Sequence, residues 1–181
     1  MSKAKVATVW LDGCSGCHMS LLDIDEVLIE VLHKADIVYG PLVDAQEFPE
    51  GVDVTLTEGA VSSQHDYKLI QQIRKRTKFL IALGDCAVTG NVPSMRNTIP
   101  TKRLLERAYV EGADIHQRAP SDGVPALLRH AVPVQEIVKV DLHLPGCPPK
   151  PALIAFALTE LLAGRKPDLT NASVASLVKF G

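Results

Sequence analysis

Strands alternating with helices predict an α/β protein built on a doubly wound parallel sheet, flavodoxin-like, with helices on both faces. Three observations carry that expectation: short apolar runs of the kind buried parallel strands show, helical periodicity between them, and turn signals where the two meet. At 181 residues, 46% of them hydrophobic, the chain is long enough to bury a core without metal or disulfide support. One domain over residues 1–181 is expected, with a long loop excursion at about 87–138.

The first strand is expected over residues 5–11, stopping at the turn signal Asp12-Gly13. From Met19 to Leu32 the apolar residues Leu21, Leu22, Val27, Leu28, Val31 and Leu32 recur at helical spacing and predict one amphipathic helix. Strands follow at 36–43 and 52–57, the latter ending at Glu58-Gly59. Residues 62–77 predict a helix with Ser62 or Ser63 as N-cap. Phe79 to Leu83 is the clearest buried strand, and Gly84-Asp85-Cys86 is expected to end it in a turn. Pro93, Pro100, Pro120, Pro125 and Pro133 then break the chain into short helical patches such as 102–110. A strand over 138–144 resumes the sheet, runs into Pro145-Gly146-Cys147-Pro148-Pro149, and gives way to an apolar helix at 152–162 ended by Gly164.

Charge and composition exclude several classes. A net charge of −2 and 4% aromatic residues give no footing for nucleic acid. The strongest local positive charge, Arg74-Lys75-Arg76 with Lys78, reads as a solvated helix end favoured by the macrodipole. No apolar stretch reaches the roughly 20 residues that cross a bilayer, and nothing near Lys3 and Lys5 resembles a secretion signal, so a cytoplasmic protein without membrane insertion is expected. Cysteines in that reducing compartment are free, catalytic or metal-bound rather than paired.

Four cysteines demand that chemistry: Cys14 and Cys17 in Cys-Ser-Gly-Cys, Cys86 in Gly-Asp-Cys-Ala, and Cys147 in Pro-Gly-Cys-Pro-Pro. Each follows an expected strand end, where ligands of open parallel sheets gather. Four thiolates suit a 4Fe-4S cluster, whose irons each take one sulfur ligand, and the adjacent glycines Gly13, Gly16, Gly84 and Gly146 let backbone approach it. Cys-x-x-Cys alone also occurs in redox dithiols and zinc sites. A dithiol would leave Cys86 and Cys147 idle, and structural zinc more often takes two close pairs of ligands. Four unrelated buried thiols are the remaining alternative, against which their placement in glycine-rich turns argues.

Asp12-Gly-Cys-Ser-Gly-Cys-His-Met-Ser-Leu-Leu-Asp23, Glu58-Gly-Ala60, Gly84-Asp-Cys-Ala87, Gly90-Asn-Val-Pro93 and Leu144-Pro-Gly-Cys-Pro-Pro149, in this order, resemble the small subunit of nickel-iron hydrogenases over nearly the whole chain. The resemblance implies that Cys14, Cys17, Cys86 and Cys147 hold the proximal 4Fe-4S cluster beside a nickel-iron centre carried by a separate large subunit. The chain ends at Gly181 without the leader or the cysteine-bearing extension of exported members. It therefore resembles the short form of soluble, bidirectional, NAD-reducing hydrogenases. Expected partners are the large subunit and diaphorase subunits carrying FMN, iron-sulfur clusters and the NAD site; no nucleotide fingerprint occurs in this chain.

Many exported relatives carry an acidic residue shortly after the second cysteine, where this chain has His18 and Met19. No proton-relay carboxylate is carried over to that place. His18 reads equally as a residue that caps or packs, and Trp10 reads as core rather than as an electron stepping stone. Asp12 and Asp85, if close to the cluster, would disfavour its reduced form. Glu58, at a strand end, is assigned a proton-relay or interface role, with a plain structural carboxylate as the competing reading. Two rivals share parts of the pattern. A complex I-like 4Fe-4S quinone-reductase subunit has the Gly-Cys-Pro-Pro loop but adjacent cysteines at its first site. An FMN-binding flavodoxin-like module would need a hydroxyl-rich phosphate cradle where only Ser15 and Ser20 stand.

Overall fold

The computed structural model describes residues 3–178. Strands β1 (Ala4–Trp10), β2 (Ala35–Tyr39), β3 (Val52–Glu58), β5 (Thr77–Leu83) and β7 (Leu142–Leu144) form one five-stranded sheet in the order β2-β1-β3-β5-β7. Every neighbouring pair is parallel. This is the expected doubly wound order, and it places the carboxyl ends of β1, β3, β5 and β7 along one edge.

Parallel strands covered on both faces are mostly apolar on both, and the exceptions here include the buried threonines Thr8, Thr55 and Thr57. On one face Val54, Leu56, Ile81, Leu83 and Leu144 pack against Leu21, Ile24 and Val31 and against Leu153, Ile154, Ala157 and Leu158. Those residues come from α1 (Gly16–Leu22), its exit, α2 (Glu26–Lys34) and α7 (Pro151–Leu162). On the other face Ala7, Val9, Leu80 and Ala82 meet Ile70 and Ile73 of α3 (Gln64–Arg76) and Ala87 of α4 (Gly84–Thr89). Helix α8 (Ala172–Val178) packs on α7.

Several boundaries differ from the sequence expectation for identifiable reasons. The single helix over 19–32 is two: α1 ends at Asp23, and Asp25 takes a φ of +52 before α2. Acidic residues at a helix C-terminus oppose the dipole, while Ile24 between them is drawn into the core at 6% exposure. The strand over 36–43 stops at Tyr39. Gly40 lies so close to Thr8 that a Cβ would sit 2.6 Å from its Oγ1, and Pro41 offers no N–H for pairing. Gly84-Asp85-Cys86 is the first turn of α4 rather than a turn ending the strand, and only Leu142–Leu144 of the strand expected at 138–144 joins the sheet. Trp10 is not core: at the last position of β1 it is 51% exposed, and its Nε1 donates to Gly13 O at 3.0 Å.

The basic helix end is also more than solvated. Arg74 donates to the Asp141 carboxylate at 2.5 Å and to Thr77 O at 2.6 Å, tying α3 to β5 and to the approach to β7. Burial would raise the Asp141 pKa, but the Leu80 N–H and the Arg74 guanidinium outweigh it and hold the carboxyl below its ordinary range. Residues 87–138 contain α5 (Asn91–Ser94), α6 (Thr101–Glu106) and a strand with no alternating pattern to announce it, β6 (Leu127–Val132). It pairs antiparallel with β4 (Val61–Ser63). Arg96 donates to Ser62 O and Leu128 O, and Asn97 exchanges bonds with the Ala131 backbone, so the excursion is tied to the domain.

Ser63 caps α3 reciprocally: its hydroxyl accepts from Asp66 N at 3.1 Å, and the Asp66 carboxylate accepts from Ser63 N at 2.8 Å. Ser63→Ala should lower unfolding stability by about 1 kcal/mol in a denaturant titration, whereas Gln64→Ala, one residue on, should stay within about 0.5 kcal/mol of the original.

Candidate metal centre

Cys14 and Cys17 follow β1, Cys86 lies in α4 just after β5, and Cys147 follows β7. The first loop is anchored at both ends. Asp12 pairs with Ala60 through two backbone bonds, 3.1 and 2.9 Å. Gly59, at φ +93, passes so near that a Cβ would meet Asp12 backbone atoms at 2.8 Å, which explains a glycine between Glu58 and Ala60. Ser15 takes a left-handed turn, φ +66, and directs the chain into α1. Cys17 is thereby buried within α1, while Cys14 is exposed.

The other two cysteine loops are fastened to each other and to α1. Asp85 N donates to Gly146 O at 2.9 Å, and the Asp85 carboxylate accepts from Gly146 N at 2.8 Å. The hydroxyl of Ser20, on α1, donates to Pro149 O at 2.5 Å. Gly84, at φ +81, is the point of closest approach: a Cβ there would lie 2.2 Å from Cys17 Sγ and 3.3 Å from Gly146 O. Three separate stretches of chain therefore meet around one sulfur.

The electrostatics agree with the packing. The Cys17 thiol is pushed far up from its ordinary value, first by burial, then by the Glu58 carboxylate and by Cys86, Cys14 and Cys147. Cys86 is raised too, by burial and then by Cys147 and Cys14, against a backbone N–H of Val92 that donates to its sulfur. Cys17 and Cys86 thus each lie within electrostatic reach of Cys14 and Cys147. As bare thiolates they would repel in a partly dry site, and a bound metal group would supply positive charge to such a set. Among the described residues no three His, Cys, Asp or Glu side chains close on a single-ion point. The glycine contacts and the four-sulfur donor set fit a multi-iron cluster.

Glu58 ends β3 at 1% exposure. Its Oε2 accepts from His18 N at 3.1 Å and lies 2.5 Å from His18 Nδ1, so His18 is held inside the site, and its Nε2 is buried without a partner. Asp85 spends its carboxylate on Gly146. The Asp85–Gly146 and Ser20–Pro149 fastenings and the Val92 donor escape sequence reasoning, since each pairs with a backbone atom of a distant loop or comes from one. Only their presence in the glycine- and proline-rich motifs hints at them.

Residues 14–161 match the family described as the 20 kDa subunit of NADH ubiquinone oxidoreductase. The chain is 42% identical over 167 residues to a subunit of the vhu F420-non-reducing hydrogenase of Methanocaldococcus jannaschii, covering 91% of this chain and 58% of that one. It thus spans under three-fifths of that relative's length. It is 37% identical over 174 residues to the delta subunit of the NAD-reducing hydrogenase HoxS of Cupriavidus necator, covering 93% and 83%. A chain of an NAD+-reducing nickel-iron hydrogenase, solved in the H2-reduced state, superposes with a TM-score of 0.88 at 38% identity, covering 92% of this chain and 95% of that one. A family match running from the first cysteine loop through α7, joined to these relatives, leads to one conclusion: the chain belongs to the NADH ubiquinone oxidoreductase 20 kDa subunit family and, within it, to the small-subunit type of nickel-iron hydrogenases.

Proposed function

We propose that this chain holds one 4Fe-4S cluster on Cys14, Cys17, Cys86 and Cys147 and relays electrons between a nickel-iron large subunit, where H2 is oxidised or protons reduced, and an NAD-reducing diaphorase module carrying FMN and further clusters. One observation carries the proposal: the three cysteine-bearing strand-end segments meet at a backbone kept bare at Gly84, where a Cβ would lie 2.2 Å from Cys17 Sγ and 3.3 Å from Gly146 O. The HoxS delta relative and the NAD+-reducing structure support the NAD coupling. No helix among the described residues is long and apolar enough to cross a membrane. A cytoplasmic enzyme agrees with that and with four thiols left free.

A 4Fe-4S cluster bound here supplies a one-electron acceptor and donor. The chain's own residues bind and orient. Asp85 and Ser20 fix the loops of Cys86 and Cys147 against α1, and Glu58 fixes His18 beside Cys17. Glu58 and His18 form a carboxylate–imidazole pair of the kind that hands on a proton, which is the relay role proposed for Glu58. The flavin-module reading loses support because Ser20 spends its hydroxyl on Pro149 O and Ser15 lies in the turn beside Cys14. Zinc is the weaker reading because structural zinc more often takes two close ligand pairs, whereas here one pair, Cys14 and Cys17, is joined by two separate cysteines.

Purified anaerobically with its partners, the protein should be brown and contribute about four irons per chain, and Cys86→Ser should lose most of that iron. A colourless complex with one metal per chain would reject the cluster. Gly84→Ala should also deplete iron, because its Cβ displaces Cys17 Sγ, whereas Gly51→Ala, at φ +67 with nothing within 4 Å, should keep the iron and show only a stability cost of about 1 kcal/mol. For Glu58→Gln in the assembled enzyme, the expected result is H2–proton exchange slowed at least roughly tenfold with iron retained; an unchanged rate would end the relay role.

A further inference from the structure

Trp10 closes β1 in register with Glu58 of β3, yet its indole is 51% exposed. A hydrogen bond accounts for its place: Nε1 donates to Gly13 O at 3.0 Å, the carbonyl immediately before Cys14. Gly13 is itself hemmed in, since a Cβ on it would lie 3.1 Å from Gly59 Cα and 3.2 Å from Glu58 Oε1. Asp12 is fixed by its two bonds to Ala60, and Ser15 O accepts from Met19 N at 3.0 Å as α1 begins. Cys14 therefore stands between two held carbonyls, Gly13 O on the indole and Ser15 O on the helix. A trans peptide is planar, so holding a carbonyl on one side fixes the amide N–H of the next residue on the other. The Gly13–Cys14 peptide is the plane that carries the Cys14 side chain, and Trp10 sets its tilt.

We infer that Trp10 is a positioning residue for the cluster: its indole N–H holds the Gly13 carbonyl and thereby fixes the Cys14 ligand and the potential of the group it binds. The inference rests on the cluster reading above. Cys17, buried within α1, has its place set by the helix and its packing, whereas Cys14 is exposed and precedes the helix, so its orientation depends on the backbone that carries it. The bond also has an electrostatic consequence. A reduced cluster carries one more negative charge than an oxidised one, so a carbonyl oxygen left unanswered one residue from a ligating sulfur disfavours reduction. The Trp10 ring has a separate role, walling a cleft with Tyr39, Pro41 and Val43. A phenylalanine would serve that wall; the bond to Gly13 O needs the indole N–H.

The chain has a single tryptophan, and the test replaces it by benzothienylalanine in the native complex, which exchanges the indole N–H for sulfur in a ring of nearly the same shape. Redox titration followed by electron paramagnetic resonance should give a more negative midpoint and a broader signal for this cluster, with iron per chain unchanged. A ring-fluorinated tryptophan at the same position keeps the N–H and should titrate as the original does. If the benzothienyl chain does not assemble with its partners, Trp10→Phe removes the same N–H, keeps an aromatic wall, and should shift the midpoint in the same direction. A tryptophan that only closed the end of β1 would change unfolding stability and leave midpoint and line shape alone. That result in the N–H-deleted complex would overturn the inference while leaving the cluster reading intact. A complex whose unmodified form shows no cluster signal would overturn both.

Discussion

The close approach of Cys17 Sγ to the bare backbone of Gly84 is the contact around which the site is arranged. A side chain at position 84 would occupy the sulfur's place, so the first and second cysteine-bearing segments meet only because β5 runs into glycine. From that contact the remaining fastenings follow. Asp85, the next residue, grips Gly146 from both its amide and its carboxylate, and Ser20, one helical turn beyond Cys17, reaches Pro149. Each bond joins two loops that the sequence separates by more than sixty residues. The parallel sheet makes this feasible by setting the ends of β1, β3, β5 and β7 side by side.

The result is a site whose protein part is electrostatically incomplete. Burial and the Glu58 carboxylate push against a thiolate at Cys17, and neighbouring sulfurs push against one another. A scaffold that gathers such groups and fixes them by hydrogen bonds has given up conformational entropy for an arrangement that disfavours thiolates, and the proposed iron group would supply positive charge there. The carboxylate beside Cys17 is itself occupied by His18, so its charge is partly answered within the chain.

Much of this is legible in the sequence because its strongest signals are physical ones. Phe79 to Leu83 is apolar at every position, as a strand covered on both faces must be, and the strand-end positions of the cysteines place them on one edge. What escapes has a common origin in tertiary contacts. The split between α1 and α2 depends on Ile24 finding the core, the end of β2 on Gly40 meeting Thr8, and β6 on a partner, β4, more than sixty residues earlier. Trp10 reads as core because its strand is core, yet as the last residue of β1 it lies half exposed. In the site, the cysteines are visible as residue types, whereas their supports are not. Asp85, Ser20 and Val92 act on backbone atoms or through their own, and no side-chain motif advertises such a bond.

The most direct measurement of the central claim is anomalous diffraction at the iron edge from crystals of the anaerobically prepared complex. The expected result is one compact four-iron peak in this chain, bonded by the sulfurs of Cys14, Cys17, Cys86 and Cys147. A single-ion peak, or an iron group that leaves one of these four sulfurs unbonded, would contradict it.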